Sequence, residues 1–485
     1  MTDYDEAAAE RGDDEPAETH VVTVFLRNGG DVLLLRRSDA VGSYSGRWGA
    51  VAGHADGETR PQEASRPRER GASGSERPAI EGAPDAAARE EIREETGIDP
   101  DAETALVRRG DPFEVVDDGL GRRWVVHPYL FDCDARAVDP NEETAEFEWV
   151  PPTALRRRET VPDLWRSYDR VRPTVETVAG DTAHGAAWLS LRALEVLRDE
   201  AALAIERAND GRGAGIGDGP ASWDALTAVA RDLLDARPSM AVVANRVNRA
   251  MDAAVGATTP AAIEAAALEG IERATAADAD AAALAADRLP DRIATVSRSG
   301  TVAAAVERAD PEAVLVAESR PGREGVGTAE RVAETTDAAV TLTTDAALAD
   351  RLAATGVEAV VVGADTVFPD GRVLNKVGTR AAAAAAATAG ADCYVVAASD
   401  KIAAAEANGG DGVDGADRAE TDGADRQERD AREVYGGDAA VAVANPIFDV
   451  TPPELVDAVV TERGALDADG VREVAVEHAG LAGWR

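Results

Sequence analysis

The sequence predicts an α/β protein built in two parts. In its second half, five apolar runs (292–297, 313–318, 339–343, 359–363 and 393–398) alternate with helical stretches, as in a parallel, doubly wound sheet. In its first half, short strands surround one strongly patterned helix. The 485 residues exceed what a single core ordinarily organises, so two or more domains are expected.

Composition narrows the class. Hydrophobic residues make up 45% of the chain, enough for globular folding, yet no apolar run approaches the roughly 20 residues that span a bilayer. The N-terminus is acidic and polar, unlike a secretory signal. The two cysteines, Cys133 and Cys393, stand one in each half and offer neither a disulfide framework nor a zinc cluster. A cytoplasmic protein without membrane contact is expected. Net charge is −40, and the acids are spread along the chain rather than gathered in a tail. Arginine supplies nearly all the basic charge; Lys376 and Lys401 are the only lysines. This pattern resembles the proteome of salt-loving archaea, where dense carboxylates keep a protein hydrated while salt screens their repulsion. An acidic surface for a cationic partner is the alternative, which the even spread disfavours. Direct nucleic-acid binding, which needs a basic stripe, is not expected.

Along the chain, residues 1–18 read as a disordered leader. Strands are expected at 21–26 and 32–35, joined through the turn residues Asn28, Gly29, Gly30 and Asp31 as a hairpin. Residues 60–84 are rich in Arg, Glu, Gly, Ser and Pro without hydrophobic period, and read as a solvated insertion within a first domain at 19–155. A polar, partly helical connector is expected over 156–179. The second domain, 180–485, opens with Ala-rich helices to about 289 and carries a Gly/Asp-rich solvated loop at 408–432. The alanine run 381–387 reads as a packed helix.

The first chemical constellation lies on residues 86–98, a helix ending at a Gly97 cap. Glu91, Glu94 and Glu95 sit at i, i+3 and i+4 and share one face. Their mutual repulsion is relieved by a hard divalent cation, which takes oxygen ligands, bridges a diphosphate and activates water. A solvated acidic face is the bland alternative in so acidic a chain. The context decides between them. This helix resembles the second half of the Nudix box, and Gly53-His54-Ala55-Asp56-Gly57-Glu58-Thr59 resembles its glycine-loop first half. Gly46-Arg47-Trp48 before the box and the stretch from Glu142-Glu143 to Trp149-Val150-Pro151-Pro152 after it are similar to the family's flanking strands. The resemblance covers roughly 19–155. It implies an α/β/α sandwich hydrolysing a nucleoside diphosphate derivative, ADP-ribose-like, with Mg²⁺ or Mn²⁺. Glu91, Glu94 and Glu95 would be metal ligands or the base, Glu58 an accessory acid, and Gly53 would shape the loop. Two departures stand out: the insertion separates loop from helix, and Glu90 occupies the place of the family's arginine, with Arg89 one residue early, so a non-hydrolysing module in a regulatory, ligand-sensing protein is the alternative.

The second constellation begins at Val361-Val362-Gly363-Ala364-Asp365, a strand ending at an acid, where open α/β sheets keep their sites. Asn375-Lys376-Val377-Gly378-Thr379 follows. A lysine retained in a chain that almost never uses one points to an anion or substrate contact, and Gly378-Thr379 opens a helix toward an anion. With Arg237-Pro238-Ser239, Glu318-Ser319-Arg320-Pro321 and the run from Asn445-Pro446 to Glu454-Leu455, these motifs resemble a superfamily. Its members include methylthioribose-1-phosphate isomerase, ribose-1,5-bisphosphate isomerase and the alpha, beta and delta subunits of translation initiation factor 2B. The resemblance covers about 183–477. It implies a helical subdomain on a Rossmann-like parallel sheet, homo-oligomeric through this domain, binding a sugar phosphate or nucleoside monophosphate. Asp365 would be the catalytic acid, Asn375 and Lys376 would hold the sugar, and Arg237, Arg320 and Arg323 are phosphate-side candidates. Ser297 stands where the isomerases place a catalytic cysteine, and His184 where an arginine is expected. A hydroxyl is far less acidic than a thiol, so binding is expected here in preference to isomerisation.

Overall fold

The computed structural model describes residues 17–55, 83–181, 183–209, 223–405 and 428–485. Nearly all of the expected leader and insertion, and most of the expected Gly/Asp-rich loop, lie outside these residues, as does Glu58. The chain divides into two units, Met1–Arg172 and Pro173–Arg485.

The first unit is built on an eight-stranded mixed sheet. Its strands are β1 (Ala17–Asn28), β2 (Asp31–Arg37), β3 (Trp48–Gly49), β4 (Val51–His54), β5 (Thr104–Arg109), β6 (Phe113–Asp117), β7 (Arg122–Cys133) and β8 (Thr144–Val150). The expected hairpin forms around Gly29, whose φ of 61° suits the tight turn, with Arg27 paired to Val32. The central strand β1 runs parallel to β7 and antiparallel to β2 and β4. Alternation along β1 sends Val22, Val24 and Leu26 to one face, where they pack with Ala88 and Ile92 of α1 (Ala83–Thr96). Phe25 goes to the other face and packs with Leu164 and Tyr168 of α2 (Leu164–Asp169). The result is helix, sheet, helix, as expected. Residues 156–179, expected as a connector, instead divide between the units. Leu164, Tyr168 and Val171 are buried against Phe25, Leu34 and Leu130, because the sheet's second face needs an apolar cover. The helix α3 (Val175–Gly180) belongs to the second unit.

The second unit opens with four helices, α4 (Ala186–Asn209), α5 (Trp223–Ala236), α6 (Ala241–Ala254) and α7 (Pro260–Ala286), sharing one apolar core. A sheet follows. Its strands are β9 (Arg292–Val296), β10 (Ala313–Ala317), β11 (Ala339–Thr343), β12 (Ala359–Val362), β15 (Asp392–Val396), β17 (Ala458–Thr461) and β18 (Gly464–Leu466). The spatial order is β11-β10-β9-β12-β15-β17-β18, parallel except for the last pair. Helices α8 (Gly300–Ala309), α9 (Glu324–Thr335), α10 (Leu348–Thr355) and α11 (Thr379–Ala389) link its strands, and α12 (Ala468–Gly480) follows them. The first six strands follow the order 3-2-1-4-5-6 of doubly wound sheets, so the topological switch point falls between β9 and β12. A small antiparallel sheet of β13 (Thr366–Val367), β14 (Val373–Lys376) and β16 (Phe448–Thr451) stands beyond the end of β12. The alanine run is α11, with Ala382, Ala383 and Ala386 fully buried. Among the described residues no helix is long and apolar enough to cross a membrane.

Candidate functional sites

In the first unit, α1 ends as its sequence predicts. Gly97 adopts φ 72° and returns its N–H to the Arg93 carbonyl at 3.1 Å. The helix lies along β4, and two of its glutamates meet that strand. Glu95 is 6% exposed, and its Oε2 accepts the Ala52 N–H at 3.1 Å. The Glu91 carboxylate fills the space over Gly53: a Cβ added there would stand 1.7 Å from its Oε1. A side chain at this position of β4 would have to displace that carboxylate.

Burial pushes the Glu95 carboxyl up to about 8, and the neighbouring Glu91 charge pushes the same way. The Ala52 N–H and the Arg37 guanidinium oppose the shift, while Glu143 adds to it. Two carboxylates held together, one of them desolvated, form an oxygen donor pair that a hard cation would relieve. Glu94, the third member of the expected set, is solvent-exposed. Among the described residues no three His, Cys, Asp or Glu side chains gather closely enough to hold a metal ion. The structure thus brings Glu91, Glu95 and Gly53 together and leaves Glu94 at the rim.

The helix's own arginines face away from this pair. Arg89 donates to the Pro100 carbonyl at 3.1 Å and to Asp101 at 3.0 Å, and Arg93 approaches Asp101 at 3.5 Å. The cation acting on Glu95 is Arg37, which the sequence did not single out. A register shift between Arg36 and Arg37 against β8 re-aims the end of β2, and the Ser43 carbonyl accepts from Arg37 Nε at 3.0 Å. Gly53→Ala is therefore expected to displace the Glu91 carboxylate and lower any metal-dependent turnover about 10²-fold with the fold retained. Turnover matching the parent, with circular dichroism unchanged, would contradict this placement.

In the second unit, the candidate residues collect at the carboxyl ends of the strands. Ser297 follows β9 with φ 64°; its N–H donates to Ser319 Oγ at 2.6 Å and its carbonyl accepts from Thr328 Oγ1 at 2.8 Å. Gly363 follows β12, and a Cβ there would meet Ser299 Oγ at 2.8 Å, so the two loops of the switch point touch. Asp365 lies just beyond. Burial raises its carboxyl above the usual carboxylate range, while Lys401 and Lys376 pull it back. The chain's only lysines thus converge on one acid. Each is 7% exposed; Lys376 Nζ pairs with Glu324 at 2.5 Å, and Lys401 Nζ donates to the Ala364 carbonyl. The rarity that marks Lys376 in the sequence marks Lys401 equally. Beyond that rarity, the sequence around Lys401 carries no local signal.

The other candidates are placed less centrally. Asn375 is buried and donates to Thr379 Oγ1 at 2.9 Å. The N-terminus of α11, expected to face an anion, is taken by the chain's own Asp449: its carboxylate accepts from Gly378 N at 2.7 Å and Arg380 N at 3.2 Å. Arg320 and Arg323 are largely exposed, 3.9 and 3.3 Å from Glu318. Arg237 donates to the Val178 carbonyl at 2.8 Å and to the Asp181 carbonyl, which ties α5 to the turn before α4. His184 stacks on Trp188 with ring centroids 3.8 Å apart and bonds Asp181 at 2.8 Å. Thr366 Oγ1 donates to the Ser239 carbonyl at 3.2 Å, which sets the loop after Arg237 beside Asp365.

Comparison with known proteins agrees with both halves. Residues 182–468 match the initiation factor 2 subunit family. The chain belongs to that family. Residues 79–171 match the NUDIX domain, ending where α2 closes the first unit. The family half is 32% identical over 314 residues to ribose 1,5-bisphosphate isomerase of Haloferax volcanii, an alignment covering 62% of this chain and 92% of that protein. The chain is also 28% identical over 356 residues to methylthioribose-1-phosphate isomerase of Pseudomonas fluorescens, covering 69% of this chain and 95% of that protein. A solved structure of translation initiation factor eIF-2B from Pyrococcus horikoshii is similar at 24% identity and TM-score 0.46, covering 60% of this chain and 94% of that one.

Proposed function

We propose that the NUDIX domain hydrolyses a phosphoanhydride in a nucleoside diphosphate-linked substrate, with Mg²⁺, or Mn²⁺ in its place. The observation that carries this reading is the Glu91 carboxylate seated over Gly53 with Glu95 desolvated beside it. Glu91 and Glu95 would hold the ion, with Glu94 exposed on the same helix, and Glu58 would be an accessory acid. When bound, the metal neutralises charge on the diphosphate and makes water acidic enough to attack phosphorus. Gly53 permits the approach, Arg37 steadies Glu95, and a carboxylate of the pair accepts the proton of the attacking water. ADP-ribose is the favoured substrate and should give AMP and ribose 5-phosphate in equal amounts. ADP-ribose left intact under Mg²⁺ would remove that choice.

The initiation factor 2 family half is proposed to bind a sugar phosphate or nucleoside monophosphate between Asp365, Lys376 and Lys401. Two buried lysines about one acid suit an anionic ligand that carries hydroxyl groups. Lys376→Ala in the full chain should weaken binding of AMP or a ribose phosphate by about tenfold or more. Calorimetry showing no heat from either ligand with the parent chain would end this reading. An isomerase is the second reading, favoured by the same buried acid and by the relatives' names. Ser297 in the cysteine's place predicts no aldose–ketose turnover; robust conversion of ribose 1,5-bisphosphate to the ketose would reverse that order.

A further inference from the structure

The helical part of the second unit holds a group of cationic side chains that neither site uses. Arg246 and Arg249 on α6, Arg273 and Glu269 on α7, and Asp400 line a cavity of about 20 Å³. That is room for about one body the size of a water molecule. Arg246 is 3% exposed; its Nε donates to Asp400 Oδ2 at 3.2 Å and its Nη1 to Ser190 Oγ at 2.8 Å. Its Nη2 is buried and makes no hydrogen bond, with Asp278 Oδ2 at 3.7 Å. Arg249 holds Asp400 Oδ1 at 2.7 Å through Nη2, and its buried Nε also lacks a hydrogen-bond partner. Two guanidinium donors that make no hydrogen bond therefore belong to side chains lining this cavity, an arrangement that native proteins avoid unless something fills it. A water would satisfy these donors together with the orphaned Asp278 Oδ1. A halide would accept from both donors, whose guanidinium groups already face the Asp400 and Asp278 carboxylates. The third arginine at the rim, Arg273, is 42% exposed and pairs with Glu269 Oε1 at 2.9 Å.

We propose that this cavity is a halide site, holding a chloride ion between the Nη2–H of Arg246 and the Nε–H of Arg249. It stands directly behind Asp400, the neighbour of Lys401. An ion there fixes the two arginines that clamp Asp400, and so steadies the turn that presents Lys401 to Asp365.

Crystals of the full chain grown in molar sodium bromide, with data collected at the bromine edge, should show an anomalous peak between Arg246 and Arg249. In solution, exchanging sodium gluconate for sodium chloride at constant ionic strength should raise the unfolding temperature along a saturable curve. Arg273→Gln, at the exposed rim, should shift that curve to about threefold more chloride. Ala266→Asp, which places a carboxylate in the lining, should abolish the chloride dependence. Density without anomalous signal would mean a water. A bromide peak without a saturable chloride effect, or a chloride effect untouched by both substitutions, would mean an adventitious ion only. Any of these results overturns the site.

Discussion

Glu95→Gln is expected to lower Mg²⁺-dependent hydrolysis by about 10²–10⁴-fold while stabilising the metal-free protein at alkaline pH. Both effects have one cause. The native state holds the Glu95 carboxyl neutral up to about 8, against an ordinary value of 4.5. The folded protein therefore binds this proton more tightly than the unfolded chain. The associated stability is fully present below about 4.5 and is lost as pH rises through about 8. Glutamine keeps the shape and the Ala52 contact but cannot ionise, so the variant should lose that decline. Thermal unfolding of parent and variant from pH 5 to pH 9 in chelator reads it directly. Parallel pH profiles for the two proteins would show that Glu95 is not held as described, whatever the activity.

Removal of salt should unfold the protein. At net charge −40, carboxylate repulsion is screened within about 3 Å in molar salt but reaches about 30 Å at 0.01 M. The unfolding temperature should fall by at least about 10 °C between molar and low salt. A change within about 2 °C would contradict the solvent reading of the acidic composition and return attention to a cationic partner.

What could be read in the sequence follows the range of the interactions involved. Glu91, Glu94 and Glu95 are legible because helical periodicity is local, and the Gly97 cap because positive φ favours glycine. The five apolar runs fall on β9, β10, β11, β12 and β15; β9, β10, β12 and β15 are largely buried and announce themselves by composition, while the edge strand β11 is apolar in sequence but largely exposed. The small sheet of β13, β14 and β16 gave no such signal: it joins segments some 70 residues apart, such as Asn375 and Asp449. The same limit hid Lys401, which reaches Asp365 only because β15 pairs with β12. Arg37 was hidden differently. A register shift at the end of β2 decides where it points, and sequence spacing carries no record of that shift. The polar appearance of residues 156–179 misled because few apolar groups, among them Leu164, Tyr168 and Val171, suffice to close a sheet face.

Glu91 over Gly53 and Glu95 beside Ala52 are proposed to make the first domain a metal-dependent phosphoanhydride hydrolase. The measurement that meets this proposal most directly is product release from a panel of nucleoside diphosphate derivatives, run in molar salt with Mg²⁺ and again with chelator. The account predicts that at least one compound is cleaved between its phosphates with Mg²⁺, that chelator abolishes the reaction, and that Glu95→Gln does the same. No cleavage of any compound by folded parent protein, or cleavage that persists in chelator and in Glu95→Gln, would contradict it.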